Sequence, residues 1–262
     1  MNYKTIQVND SNNIRTIILD RPSKLNAINY DVIAELSDII DASQLNDEVR
    51  VIVLKGSGKH FCAGDDLKGM GTNDNPSPDH HIINRVNMGY PNLIYKIRNL
   101  RKPVLVAVHG VALGAGCDLA FACDMIFATE ESKFGLVFSK RGLVGGTALL
   151  PKLVGYQKAC EILFSGEMFS AKQAKDMQIV NYLSSSFEEL QLLVEKWAKD
   201  FSAYPTTAIG LMKQAINQSV GETFVKSLEI QKHVTVGVYH TQDSREGKES
   251  FINKRESDYK GY

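Results

Sequence analysis

The chain has 262 residues, 44% of them hydrophobic, and its 30 Lys and Arg balance 30 Asp and Glu. That length supports one large domain, or a domain with a smaller appendage, around a substantial buried core. Zero net charge with no basic tract or acidic tail argues against nucleic acid or an anionic membrane as partner, while a local cationic patch for a phosphate-bearing ligand stays open.

Met1 to Asp10 lacks the charged-then-apolar pattern of a signal peptide, and no apolar run is long enough to span a bilayer. A cytoplasmic protein is therefore expected. Its four cysteines, Cys62, Cys117, Cys123 and Cys160, sit in apolar contexts without CxxC spacing, the pattern of buried reduced thiols rather than disulfides or a metal site.

Thr5–Val8 and Ile14–Leu19 carry clustered apolar residues around an Asn/Asp/Ser turn, which predicts a hairpin. Asn29 is placed to cap a helix through about Ala42, with Val32, Ile33, Leu36, Ile39 and Ile40 at helical spacing. Val51–Leu54 reads as a short buried strand. Met70 to His81 is polar and rich in Gly, Asn, Asp and Pro, so a mobile loop is expected. Ile82 to Leu100 reads as a helix with an interruption near Pro91, and Val104–Val108 as a buried strand. A helix over Gly114 to Ala122 and a strand at Met125–Ala128 follow. Strand–helix–strand succession implies a layered α/β fold. Beyond Pro151 the chain turns mostly helical, with Ser170 as a cap before Ala171–Met177, then Phe187–Phe201, Thr206–Val220, Glu222–Val238 and Asp243–Lys254. Gly221 is the expected break between Thr206–Val220 and Glu222–Val238. A boundary near Tyr204-Pro205 divides residues 1–203 from a helical region, 204–262.

Two glycine-bearing segments stand out: Phe61-Cys62-Ala63-Gly64-Asp65-Asp66-Leu67 and His109-Gly110-Val111-Ala112-Leu113-Gly114-Ala115-Gly116-Cys117-Asp118. Each follows an apolar strand-like run, and the second opens a helix. Glycine lets backbone approach a ligand closely, and a helix N-terminus offers unpaired N–H groups and partial positive charge. Two such N–H groups converging on one point would polarise a carbonyl and hold the oxyanion formed from it. The competing reading is that these glycines only make tight connections. Asp118 lies three residues after Ala115, on the same helix face, so its carboxylate is placed beside any pocket that Ala115 lines. Gly56-Ser57-Gly58-Lys59 lacks the upstream glycine of a phosphate loop and has His60 where Ser or Thr belongs. No GxSxG elbow occurs, and adjacent His80 and His81 are poorly spaced for chelation, so no metal is expected.

These segments resemble the enoyl-CoA hydratase/isomerase (crotonase) family. So do Arg21-Pro22-Ser23-Lys24-Leu25-Asn26-Ala27, Phe134-Gly135, Gly142-Leu143-Val144 with Gly145-Gly146-Thr147, and Glu246-Gly247 through Phe251 to Lys254-Arg255. The resemblance covers nearly the whole chain. It implies a crotonase-like spiral of ββα units with a C-terminal helical region that packs trimers, often paired into hexamers. It implies an acyl-CoA thioester substrate, with coenzyme A as part of that substrate and no permanently bound cofactor. The oxyanion donors would be the N–H groups of Asp65 and Ala115, and Asp118 the acid/base. Lys24, Leu25, Ala27, Ala63, Asp66, Leu67 and Lys68 would line the coenzyme A channel. Phe251 and Lys254 would reach the adenine end, often from a neighbouring subunit; apart from the family, Phe251 reads as a core residue of the last helix. Met70, Phe138 and Leu143 would shape the acyl pocket.

The chain also departs from the family pattern. The second hydratase carboxylate aligns with Phe138, and Val144 runs directly into Gly145, so the loop that carries an acid in other members is shortened here. Asp65, Asp66, His109, Ser139 and water itself are the remaining candidates to assist Asp118. Hydration of 2-enoyl-CoA is the expectation; double-bond isomerisation by one base, thioester cleavage, and a non-catalytic acyl-CoA-binding homologue are the alternatives.

Overall fold

The computed structural model describes residues 3–262. β1 (Ile6–Ser11) and β2 (Ile14–Leu19) pair antiparallel, from Ile6 opposite Leu19 to Ser11 opposite Ile14. Asn12 and Asn13 close this hairpin at φ 52° and 62°, a region asparagine tolerates. α1 (Tyr30–Leu45) begins where the Asn29 side chain accepts from the Val32 N–H at 2.9 Å. It runs past the expected end at Ala42 because buried Ser43 is satisfied within it. The Ser43 hydroxyl donates to the Ile39 carbonyl and accepts from Arg15, so a polar residue extends the buried face.

β3 (Val51–Gly56) is followed by α2 (Ile82–Met88) and α3 (Tyr90–Asn99). The interruption expected near Pro91 falls at Gly89. Pro91 sits in the first turn of α3, where a missing N–H costs nothing. Then come β4 (Val104–Val108), β5 (Val111–Leu113), α4 (Ala115–Ala122), β6 (Met125–Thr129) and β7 (Lys133–Gly135). α5 (Leu150–Val154), α6 (Tyr156–Ser165), β8 (Met168–Ser170), α7 (Ala171–Asp176) and β9 (Tyr182–Ser184) follow. Ser170 and Gln173 form a reciprocal capping box on α7. The chain ends with α8 (Phe187–Ser202), α9 (Thr206–Ser219), α10 (Phe224–Tyr239) and α11 (Gln242–Ile252).

One sheet has six strands in the order β1-β2-β3-β4-β6-β9, parallel from β2 onward; a second has three, β5-β7-β8. The strands of the second sheet span three residues each, too short to show a period in sequence. Alternate residues of β3 and β4 serve different layers. Ile52, Leu54, Val104, Val106 and Val108 join the main core with α1, α3 and α4. Val51, Val53, Leu105 and Ala107 face Leu190, Val194 and Ala198 of α8. Burial on both faces explains the continuous apolar runs, and all eight residues of α4 are buried between layers.

The last helices are tied to this core by buried cations. Lys213 donates to the Ile97 and Lys102 carbonyls and to the Asp124 carboxylate at 2.9, 3.2 and 2.7 Å. Arg50 donates to the Thr206 hydroxyl and to the Tyr204 and Tyr259 carbonyls. Gly221, at φ 94°, separates α9 from α10. α10 buries no residue and exposes Phe224, Val225, Val236 and Tyr239.

Candidate active site

Two loops are zipped together to make the site. The Ala63 N–H donates to the Leu25 carbonyl at 3.0 Å, Ile28 N–H to Gly64 at 2.7 Å, and Asp66 N–H to Ile28 at 2.7 Å. Asn26 secures the first loop by donating to the Ser57 and His60 carbonyls and accepting from the Arg21 N–H. Arg21 bonds the Ala27 carbonyl and the Asp66 carboxylate. Asp66 is therefore held in a structural ion pair. Burial works against its charge, but the bonds from Arg21 and the Gly69 N–H outweigh burial and keep its carboxyl below the usual range.

The second glycine segment lies alongside. Cys62 N–H donates to Val111, and Leu113 N–H to Cys62, both at 3.0 Å. Gly64 has φ 91°, and a Cβ there would stand 2.6 Å from the Leu113 carbonyl oxygen and 3.5 Å from the Ala115 nitrogen. Only glycine permits this contact, and it brings residue 65 beside the start of α4. The alternating bonds on either side of Asp65 turn its own N–H away from Ile28. Neither that N–H nor the N–H of Ala115, the first residue of α4, has a backbone acceptor among the described residues. The Ala115 N–H at the start of α4 and the Asp65 N–H, which meets only its own carboxyl, are the elements of an oxyanion site.

Asp118 sits one turn into α4 and is buried. Its Oδ2 accepts from the Gly146 N–H at 2.8 Å, and its Oδ1 has no protein partner among the described residues. Burial, opposed by the Gly146 bond and reinforced by the Asp65 charge, pushes its carboxyl up to about 7. The Asp65 carboxyl, partly buried and folded toward its own N–H, is raised by burial as well. Tyr90, at the start of α3, donates to the Ala115 carbonyl at 2.7 Å, and burial together with the Asp118 and Asp65 charges lifts its phenol far up.

Phe138 forms one wall. A Cβ on Gly145 would come 2.4 Å from its ring and one on Gly114 3.8 Å, so the ring lies over the glycines that flank the two motifs. Met70 is half-buried against the main core. Leu143 is half exposed, with its N–H bonded to the Phe138 carbonyl at 3.0 Å. Lys24, Leu25, Leu67 and Lys68 are exposed where the zipped loops open to solvent, and Ala27 and Ala63 lie in the zipper itself. Phe251 is 85% exposed at the end of α11, which corrects its reading as a core residue. Within one chain no bond joins Phe251 or Lys254 to the Lys24–Lys68 mouth among the described residues.

Two assisting candidates are displaced. The His109 ring packs on Phe187 of α8 with centroids 4.6 Å apart, its Nε2 shares a hydrogen bond with the Gly58 carbonyl, and burial lowers its basicity. It thus belongs to the opposite face of the sheet. Ser139 is exposed beyond the Phe138 wall. Gly146 and Tyr90 were not singled out in sequence. The Gly-Gly-Thr match marked the neighbourhood of Gly146, whereas nothing local marked Tyr90, whose role depends on α3 meeting α4.

These features place two backbone N–H groups that lack a backbone acceptor beside one buried carboxyl in a layered α/β fold. The chain matches the enoyl-CoA hydratase/isomerase family over residues 9–262, and it belongs to that family. It is 33% identical over 252 residues to the 1,2-epoxyphenylacetyl-CoA isomerase of Escherichia coli, covering 95% of each chain. It is 32% identical to a probable enoyl-CoA hydratase of Rhizobium meliloti, covering 99% of each. The crystal structure of an enoyl-CoA hydratase from Bacillus anthracis superposes with a TM-score of 0.89 at 29% identity, over 99% of this chain and 100% of that one. The fold is the crotonase fold, and the protein is an acyl-CoA hydratase or isomerase. No helix among the described residues is long and apolar enough to cross a membrane.

Proposed function

We propose that the protein adds water reversibly to 2-enoyl-CoA thioesters, with Asp118 as its acid/base. The observation that carries this reading is the buried Asp118 Oδ1, free of protein partners and poised at about 7, one turn behind the Ala115 N–H. The thioester oxygen takes the N–H groups of Asp65 and Ala115, which makes Cβ electrophilic and stabilises the enolate that forms. Ionised Asp118 accepts a proton from water as the hydroxyl bonds to Cβ, then returns that proton to Cα. Water is consumed and the carboxylate regenerated. A group titrating near the working pH suits both halves of this exchange.

Lys24 and Lys68 supply point charges for the coenzyme A phosphates. Residues 204–262 form the oligomer-packing region of a trimer or a dimer of trimers, supported by the exposed apolar face of α10. In such an assembly Phe251 and Lys254 complete a neighbour's adenine site. The enzyme works in the cytoplasm, carries no resident cofactor, and binds neither nucleic acid nor membrane.

Phe138 favours a second reading, isomerisation of a 3-enoyl or related thioester. An aromatic ring transfers no proton, and one base suffices to remove Cα–H and return it at Cγ. The test is loss of the conjugated enoyl absorbance on short and medium 2-enoyl-CoA, with 3-hydroxyacyl-CoA confirmed by mass, for wild type and Asp118→Asn. Loss abolished by the substitution supports hydration; loss unaffected by it removes Asp118 as the acid/base. Turnover of 3-enoyl substrates alone supports isomerisation. Release of free thiol points to thioester cleavage, and coenzyme A binding without turnover to a non-catalytic homologue.

A further inference from the structure

Among the described residues, none of α11 belongs to either apolar core. The two residues that α11 buries are polar, Asp243 and Ser250, while Phe251 and Ile252 stand 85% and 75% exposed. A helix with no apolar face toward its own domain needs another means of fixing its place. Residues 255–262 supply it.

The chain reverses after α11 at Lys254, a non-glycine residue at φ 52°, and the Arg255 N–H donates back to the Ser250 carbonyl at 3.1 Å. Such a residue holds that conformation only where its surroundings impose it. The segment then runs back along the helix and bonds it turn by turn. The Ser257 and Ser250 hydroxyls share a hydrogen bond of 2.6 Å. The Glu246 carboxylate accepts from the Arg255 guanidinium through both oxygens and from the Asp258 N–H at 2.8 Å. The Asp243 carboxylate accepts from the Lys260 and Gly261 N–H groups, both at 2.7 Å, and the Asp243 N–H donates to the main-chain oxygen of Tyr262 at 3.0 Å. Positions 243, 246 and 250 are three and four apart, so one face of the helix receives all of these bonds. Gly247 lies beside them. A Cβ there would stand 3.0 Å from the Tyr259 hydroxyl, which accounts for a glycine inside a helix, where it otherwise weakens the element.

The same segment is tied to the core. Arg50, just before β3, donates to the Tyr259 carbonyl at 3.1 Å and to the Thr206 hydroxyl at 2.9 Å, and the Thr207 hydroxyl donates to the Gly261 carbonyl at 2.7 Å. Residues 255–262 thus join α11 to the starts of β3 and α9.

We infer that residues 255–262 act as a polar strap that sets where α11 presents Phe251 and Lys254, and that Asp243 and Glu246, which hold the strap, are positioning residues for the adenine end of coenzyme A in a neighbouring subunit. This inference rests on the assembly proposed above. Phe251 leaves α11 one residue after Ser250, and Lys254 forms the reversal itself, so loss of the strap frees both. No bond of the strap reaches the Lys24–Lys68 mouth among the described residues.

The test compares butyryl-CoA with S-butyrylphosphopantetheine, which carries the same acyl arm and lacks the adenine end. Neither has a double bond to hydrate or move, so calorimetry reads binding whichever reaction the enzyme performs. Asp243→Ala and Glu246→Ala are each expected to weaken butyryl-CoA about tenfold, through lost pre-organisation, and to leave S-butyrylphosphopantetheine within about twofold. Removing an acidic residue would by charge alone strengthen the hold on an anionic ligand, so charge does not mimic this result. Glu246 is only partly buried and alanine is a strong helix former, so Glu246→Ala decides the matter if Asp243→Ala does not fold. Phe251→Ala should show the same split between the two ligands. If Phe251→Ala weakens butyryl-CoA alone while the folded strap variants bind it like wild type, the strap is overturned and the adenine reading stands. If Phe251→Ala leaves butyryl-CoA unchanged, the adenine reading fails and the inference fails with it. Equal weakening of both ligands by the strap variants also overturns the inference, because it would mark a general loss of structure.

Discussion

Asp118→Asn offers a test that separates catalysis from stability. An acid raised from 3.8 to about 7 by folding holds a proton in the native state that the unfolded chain has released. Stability then falls as pH rises from the unfolded value through the folded one, and the cost is complete above it. Each tenfold change in a protonation constant is worth about 1.4 kcal/mol. The full penalty is therefore about 4 kcal/mol, of which about 3 kcal/mol accrues between pH 5 and pH 8. Asparagine keeps an acceptor for the Gly146 N–H and carries no charge to desolvate. The variant should gain about 3 kcal/mol relative to wild type on going from pH 5 to pH 8. For a chain of this size that is a differential shift in melting temperature of roughly 6–12 °C. Urea or thermal unfolding of both proteins at the two pH values, followed by circular dichroism, reads the difference directly. The variant should be inactive at both. A gap between the two proteins that does not change with pH would refute the argument, because it would mean that folding does not disfavour the charged form of Asp118.

With Asp118 as the proposed acid/base, kcat/KM for wild type should climb tenfold per pH unit below about 7 and level off above it, measured on 2-enoyl-CoA between pH 5 and pH 8. Gly64→Ala forces a side chain into φ 91° and within 2.6 Å of the Leu113 oxygen. It should fold with a loss of about 1–3 kcal/mol and lower kcat at least as much as removing one oxyanion donor; near-normal kcat would show that residue 65 is not positioned by this contact. Lys24→Ala and Lys68→Ala should each raise KM for the coenzyme A thioester several-fold and weaken its salt dependence, with kcat retained, whereas a fall in kcat alone would place these lysines outside the phosphate path.

What was legible in sequence was mostly local. Asn29 capped α1 through its own side chain, and the two glycine segments announced themselves by their spacing. The three-residue strands β5, β7 and β8 were not legible, because their length hides any alternation and their stability comes from partners far along the chain. The interruption expected near Pro91 falls at Gly89, and the proline itself opens the next helix, where it costs little. In sequence His109 is one of the candidates to assist Asp118. Side-chain alternation along the sheet, which one strand does not reveal, turned it toward Phe187. The Tyr90 bond to Ala115 joins residues 25 apart and has no local trace.

Phe138 is less of a loss than its place in the family pattern suggests. A second carboxylate there would be a like charge beside Asp118 and would push the pair's titration further apart. In its absence, burial does most of the work. Leu136 and Leu163 crowd Gly146, which bonds Asp118, and the Phe138 ring closes over Gly145. An apolar wall thus leaves one carboxyl near 7 instead of two acids at separated values. A single group at that value takes and returns a proton with comparable ease, whereas a pair divides the two tasks. The position that most distinguishes this chain from the two-carboxylate pattern thereby also supplies the environment in which one carboxyl can serve.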